Sequence, residues 1–350
     1  INFAHRTFQW NSESKGKAAV HVVIIGFSLI DSGEKKLYEY ENIRSEPHLV
    51  LVENISPYLV NTKNTIVEAR SKPLSQVPKM QFGNMPLDGG NLLLDIKDKN
   101  LLINKYPQLA NYIKPFVSAR EFLNNGERYC LWLVDIEPEL LVRIPEILDK
   151  IEKVRSFRLQ SVAPSTRKYA DSPSTFRDIN NPDTFLVIPR VSSENRKYIP
   201  TGFFDKSYIA GDTCMMIPNA NLYDFGILTS LMHMAWMRQI SGRLKSDYRY
   251  SKDIVYNNFP WPQNVTENQK KIVKERAEQV LDIRKEFKHS SLATLYHPLT
   301  MPPKLLKAHK ELDNAVDKCY RSKPFKDERE RIEFLFDLYV RLTNGNEKHG

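Results

Sequence analysis

Cysteine is scarce in this sequence. Cys130, Cys214 and Cys319 are the whole set, far apart and without CxxC or Cys/His ligand spacing. So sparse and odd a set excludes a disulfide framework and a structural zinc site, and it fits a reducing cytoplasm. The 8 histidines are scattered, and His233, on an apolar helical stretch, reads as a satisfied core residue rather than a metal ligand. No apolar run reaches the ~20 residues that cross a bilayer. The start, Ile1-Asn2-Phe3-Ala4-His5-Arg6, lacks both an initiator Met and a signal-peptide core, so the chain is expected to be cut from something longer. Glycine is short as well, 13 residues against 21 prolines, which favours stiff connections. Two further absences bear on chemistry. There is no glycine-rich turn to cradle a nucleotide-like cofactor, and no Asn-Pro-Pro-aromatic loop to hold an adenine. Asn257-Asn258-Phe259-Pro260-Trp261-Pro262 imitates the second, but its prolines are displaced and the backbone carbonyl is not pre-set. It reads as a rigid aromatic-proline boundary, and the stretch by itself is expected to catalyse nothing.

What is present is ordinary for a globular protein of more than one unit: 350 residues, 41% hydrophobic and 27% charged. Lys and Arg number 51 against 42 acidic residues, a formal charge of +9 and a pI near 9.2. That balance favours a polyanionic partner. Residues 3–10 and 18–30 read as strands joined by the polar link 11–17. The second is a nearly continuous β-branched run, as in a strand buried on both faces. A lone hairpin cannot bury its own faces, so it must complete a sheet, either one upstream or, as an edge hairpin, that of the next domain. Residues 43–262 mix short strands (131–136, 185–189, 213–217) with helices (145–159, 224–240) between Pro, Gly and Asn punctuation. After residue 262 the pattern turns helical, with Thr266 capping a charged helix through 284 and further helices at 303–320 and 327–342. The fold class is α+β: a terminal β-hairpin (1–42), a mixed-strand, loop-rich domain (43–262) and a small helical domain (263–350).

Three basic clusters stand out. Arg155, Arg158, Arg167 and Lys168 lie among Ser161, Ser165 and Thr166; Arg190, Arg196 and Lys197 follow a short strand beside Ser192 and Ser193; Arg243, Lys245, Arg249 and Lys252 cluster with Tyr248 and Tyr250. Cations mixed with short hydroxyl side chains suit a phosphate-contacting surface, and each cluster alone also suits a solvated face. Between Ser241 and Ser251, an extended backbone would project Lys245, Asp247 and Arg249 from one side. Lys and Arg can donate to guanine O6 and N7, and Asp can accept from cytosine N4. A salt-bridged exposed strand is the alternative.

Longer blocks settle on one resemblance. Phe3–Trp10, Gly16–Phe27, Ser71-Lys-Pro-Leu74, Phe82-Gly-Asn-Met-Pro86, Asp88-Gly-Gly-Asn-Leu-Leu-Leu94, Val191-Ser-Ser-Glu194, Tyr198-Ile-Pro200, His233-Met-Ala-Trp-Met-Arg238, Gly242-Arg243, Val255–Pro262 and Tyr296–Pro303 resemble the MmeI-type (Type IIL) restriction–modification enzymes over essentially the whole chain. The resemblance implies the last strands of an N6-adenine methyltransferase domain in 1–42, a target recognition domain in 43–262 and a helical C-terminal domain in 263–350. It implies sequence-specific duplex DNA as partner, the upstream methyltransferase domain as neighbour, and S-adenosylmethionine as a cofactor of the parent enzyme, not of this piece. It also implies roles: Lys245 with Asp247 reading one base pair, Arg249 with Thr213 a second, and Arg190 with Asp212 a third. Phosphate contacts are expected from Arg155, Arg158, Arg167, Lys168, Arg196 and Arg243. A protein-binding module with a basic surface and a divergent complete methyltransferase are the alternatives.

Overall fold

The computed structural model describes residues 1–10, 20–30 and 33–346; the expected link 11–17 lies outside them. The chain forms two compact units that interleave along the sequence. One comprises Ile1–Val77, Ser230–Ile272 and Asp313–Gly350, and the other Pro78–Thr229 and Val273–Leu312.

In the first unit, strand Phe3–Trp10 pairs antiparallel with Val20–Gly26 and parallel with Lys35–Glu39, which pairs in turn with His48–Val52. Among the described residues the hairpin thus shares its sheet with strands from 35–52. One face packs Ala4 and Leu37 against Ile55 and Leu59. The expectation of a strand buried on both faces is corrected. Val20–Gly26 is the sheet edge, and Val23, Ile24 and Ile25 are all exposed on it. The expected helix 224–240 is two helices, Leu222–Thr229 and Leu231–Ile240, and the second belongs to this unit. Trp236 packs on Phe336 and Tyr339 of the final helix, Glu328–Asn346, and its indole N–H donates to the Val255 carbonyl.

The second unit holds two antiparallel-rich sheets. One runs Gly202–Asp205, Thr184–Pro189, Cys214–Pro218 and Gln81–Phe82; the other Ile209–Ala210, Ile113–Val117, Tyr129–Leu131 and Leu93–Leu94. Thr184–Pro189 has neighbours on both sides and is buried from Phe185 onward, as its unbroken apolar run requires. The helix Pro145–Leu159 matches its expected bounds because Pro145 starts it with a pre-set φ and no orphan N–H. Helix Pro303–Tyr320 likewise keeps its expected bounds. Thr266 caps helix Glu267–Glu286 reciprocally: Thr266 Oγ1 accepts from the Gln269 N–H, and Gln269 Oε1 accepts from the Thr266 N–H.

Candidate nucleic-acid interface

The hairpin Gly242–Arg249 is built on two tyrosines. Strands Gly242–Leu244 and Asp247–Arg249 pair with Leu244 opposite Asp247 and Arg243 opposite Tyr248. Tyr248 is buried, and the Arg243 guanidinium lies 3.8 Å from its ring centroid while donating to the Ser246 carbonyl at 2.7 Å. Tyr250 is buried too, its hydroxyl 2.9 Å from Nε2 of His233. Burial lowers the His233 pKa to about 3, so the imidazole is the neutral core histidine expected from its position. With one side of the hairpin anchored, the alternate positions Gly242, Leu244, Asp247 and Arg249 share the other.

Lys245 departs from the extended arrangement expected of it. It is the first of the two loop residues of the hairpin, with φ +56, in the left-handed region that disfavours a β-carbon. It therefore stands at the tip rather than in line with Asp247 and Arg249. Those two do share a face of the strand, as alternation requires.

In the second unit, Arg190, Asp212 and Thr213 come together where strands Thr184–Pro189 and Cys214–Pro218 end. The Arg190 N–H donates to the Thr213 carbonyl at 3.0 Å, and its Nη1 to the Asp212 carbonyl at 2.9 Å. Thr213 Oγ1 accepts from the Ala119 N–H at 2.9 Å. The six residues expected to read bases thus form two groups, Lys245, Asp247 and Arg249 in one unit and Arg190, Asp212 and Thr213 in the other.

The phosphate set needs one correction. Arg158 is fully buried, and all of its guanidinium nitrogens donate to backbone carbonyls: Nε to Leu87, Nη1 to Tyr169 and Ser172, Nη2 to Pro86 and Thr175, at 2.7–3.1 Å. It staples the interior and cannot face a phosphate. Arg155 is exposed beside Glu152, and Lys168 is exposed next to Tyr169. Arg167 is exposed as well but clamps its own loop through the Ser161 and Val162 carbonyls. Arg196 is partly exposed in the turn after Ser193.

The adenine-loop imitation is also accounted for. Asn257 Nδ2 donates to the Arg70 carbonyl, and Asn258 Nδ2 to the carbonyls of Glu68, Asp253 and Ile254. Both side-chain amides are committed inside the unit, so these residues do not fit an adenine or S-adenosylmethionine site. No group of three His, Cys, Asp or Glu able to hold a metal occurs among the described residues, and no described helix is long and apolar enough to cross a membrane.

Sequence reasoning missed Phe82, Gly83 and Asn84 as parts of the site, although they sit in a block that carries the family resemblance. Phe82 underlies Arg190, with the guanidinium 5.0 Å from the ring centroid. Asn84 is buried, accepts from the Asn180 N–H and donates to the Asn180 and Ala210 carbonyls.

A mixed-strand, loop-rich domain with cationic and carboxylate side chains at strand ends, followed by a helical tail, is the architecture of a recognition module, and the comparisons agree. Family models match in order: "MmeI, DNA-methyltransferase domain" over residues 1–39, "MmeI, target recognition domain" over 61–263 and "MmeI, C-terminal domain" over 265–346. The chain belongs to the MmeI family. It is 42% identical over 344 residues to DNA methyltransferase A of Bacillus subtilis (strain 168), covering 98% of this chain and 38% of that protein. It is also similar to the solved Type IIL restriction-modification enzyme MmeI in complex with DNA, at TM-score 0.88 and 47% identity, covering 98% of this chain and 46% of that one. The chain therefore spans less than half the length of each of these relatives.

Proposed function

We propose that this chain reads DNA sequence for an N6-adenine methyltransferase, gripping duplex DNA and presenting base-reading side chains to the major groove while a catalytic domain outside the chain takes the adenine out of the stack. The observation that carries the reading is the hairpin Gly242–Arg249. Its tyrosine anchors commit one side to the core and leave Asp247 and Arg249 on the other, with Lys245 at the tip. Charged groups held this firmly suit base edges, whose donors and acceptors have fixed positions. Arg190, Asp212 and Thr213 form a second reading group, and Arg155, Arg167, Lys168, Arg196 and Arg243 contribute phosphate contacts.

In this reading residues 1–42 belong to the methyltransferase portion, 43–262 to recognition and 263–350 to the helical tail. S-adenosylmethionine serves the catalytic portion, and the protein works in the cytoplasm. The sheet of the first unit supports an attached neighbour. Its register places Phe3, Trp10, Val20, Ile24, Leu49 and Leu51 on one face, all of them exposed. So wide an apolar surface marks an interaction site, here for the rest of the methyltransferase.

The test is a charge exchange at the hairpin. Lys donates to guanine and ionised Asp accepts from the cytosine opposite, so Lys245 and Asp247 specify one G·C pair. In the full-length protein carrying this chain, Lys245→Glu with Asp247→Arg should turn that position of the methylated motif into C·G, and either change alone should cripple modification. An unchanged motif, mapped by sequencing methylated adenines, would overturn the reading and leave the two residues as an exposed ion pair. The chain alone, given labelled S-adenosylmethionine and mixed-sequence duplex, should incorporate no methyl groups above a protein-free blank.

A further inference from the structure

We propose that Phe82 is a positioning residue for Arg190, and that Gly83 and Asn84 fix the platform from which Arg190 and Asp212 read a G·C pair. The proposal rests on the reading of this chain as a DNA-recognition module.

An arginine reads guanine by presenting two parallel N–H groups to O6 and N7, which demands that its planar fork be held in one orientation. Its long side chain ordinarily carries rotamer entropy that opposes such order. Three contacts hold Arg190 before any DNA arrives. Its backbone is fixed to Thr213, its Nη1 is latched on the Asp212 carbonyl, and its guanidinium lies over the Phe82 ring. Nη2 and Nε make no hydrogen bond among the described residues, so that edge of the fork is left for a base.

Phe82 is in turn held by pairing opposite Met215 in the sheet, yet its side chain keeps 37% exposure. A surface phenylalanine in a strand that short contributes little to the core. Its place beneath a cation is what gives it a task.

The next two residues tie this platform to the backbone of Asp212, within the same reading group. A β-carbon on Gly83 would lie 2.1 Å from the Gly211 carbonyl oxygen, so only glycine lets the two backbones approach. That approach lets the Asn84 N–H reach the Ala210 carbonyl at 2.7 Å and the Asn84 carbonyl accept from the Asp212 N–H at 3.1 Å. Asn84 then clamps Asn180 and Ala210 with its side chain. Phe82 orients the donor, and Asn84 sets the backbone of the acceptor. Arg190 matches guanine O6 and N7, and the Asp212 carboxylate matches the cytosine N4 amino group across the pair.

The experiment places Arg190→Ala, Phe82→Leu and Phe82→Tyr in the full-length protein carrying this chain and maps the methylated motif of each. Leu keeps the apolar bulk but loses the π face, whereas Tyr keeps both. Arg190→Ala should relax one base pair of the motif by about tenfold or more. Phe82→Leu should relax that same pair by roughly two- to fivefold, the worth of an exposed cation–π contact, and leave the pair read by Lys245 and Asp247 intact. Phe82→Tyr should keep the parental motif. If Arg190→Ala relaxes the motif while Phe82→Leu does not, or if Leu and Tyr relax it equally, Phe82 merely packs and the proposal is overturned. If Arg190→Ala leaves the motif unchanged, the base-reading assignment itself falls, an outcome distinct from the first two.

Discussion

Arg155 and Arg158 stand three residues apart on one helix and do opposite work. Five backbone carbonyls depend on Arg158, and removing it leaves them buried without donors. Arg158→Met should cost about 3–5 kcal/mol, the range for breaking a buried charged network. Arg155→Ala should stay within roughly 0.5 kcal/mol, as surface changes do. Urea denaturation of the chain compares the two, and similar midpoints would refute the staple. The sequence carried the signal: Ile147, Ile151, Val154 and Arg158 continue a single 4-3-4 apolar stripe, and Arg158 simply extends it. Grouping it with neighbouring cations by charge alone hid that spacing. Titration adds a second residue-scale test. Burial lifts the Glu333 pKa from 4.5 to about 7, Arg329 opposing and Glu39, Asp327 and Asp337 reinforcing. The folded chain then keeps a proton between those values that the unfolded chain releases, so this contribution to stability is lost as pH rises through the window. Glu333→Gln should raise Tm at pH 8 and leave it nearly unchanged at pH 5. His233 works the other way, since the unfolded chain gains a proton below pH 6.5 that the buried imidazole refuses until about pH 3. Its contribution is lost as pH falls through that range.

At the scale of the element, the hairpin tip holds a residue its backbone disfavours. Lys245 at φ +56 carries a strain of about 1 kcal/mol that glycine would not. Lys245→Gly should therefore raise thermal stability slightly, and Lys245→Val, β-branched, should lower it. Equal melting temperatures for the two would show that the tip is unstrained in solution. A residue kept against its backbone preference fits a task at the tip, and base reading requires such a task. Local pattern made the strands around residues 185–189 and 213–217 readable, because their apolar runs are continuous. It could not place Lys245, since alternation assumes a straight strand and the turn falls inside the segment. Nor could it bring Phe82 beneath Arg190, because that contact joins residues more than a hundred positions apart through sheet pairing.

For the whole molecule, the net charge of +9 predicts duplex binding that is weak and steeply salt-dependent, with a dissociation constant of roughly 10⁻⁴–10⁻⁶ M near physiological salt. Replacing Arg167 and Lys168 with Ala should flatten the plot of log affinity against log salt by about two. An unchanged slope would return both to the solvated surface. The helical residues 267–346 should contribute stability rather than base choice: Leu295, Leu312 and Leu338 are buried, and Trp236 packs on Phe336. A full-length protein lacking them that methylated a different motif would contradict this division.

The interleaving of the two units has a consequence for synthesis. Glu39 contacts Arg329, and Tyr58 packs against Phe336, so the unit begun by the first strands is closed by the last helix. Ribosomes add about 5–20 residues per second, which puts tens of seconds between the emergence of Glu39 and that of its partner. Throughout that interval the strands at 35–52 wait for the helix that closes their unit, while the segments between them can already fold. Vectorial translation thus imposes an order: the unit of residues 78–229 and 273–312 has all of its segments before the unit of 1–77, 230–272 and 313–350 does.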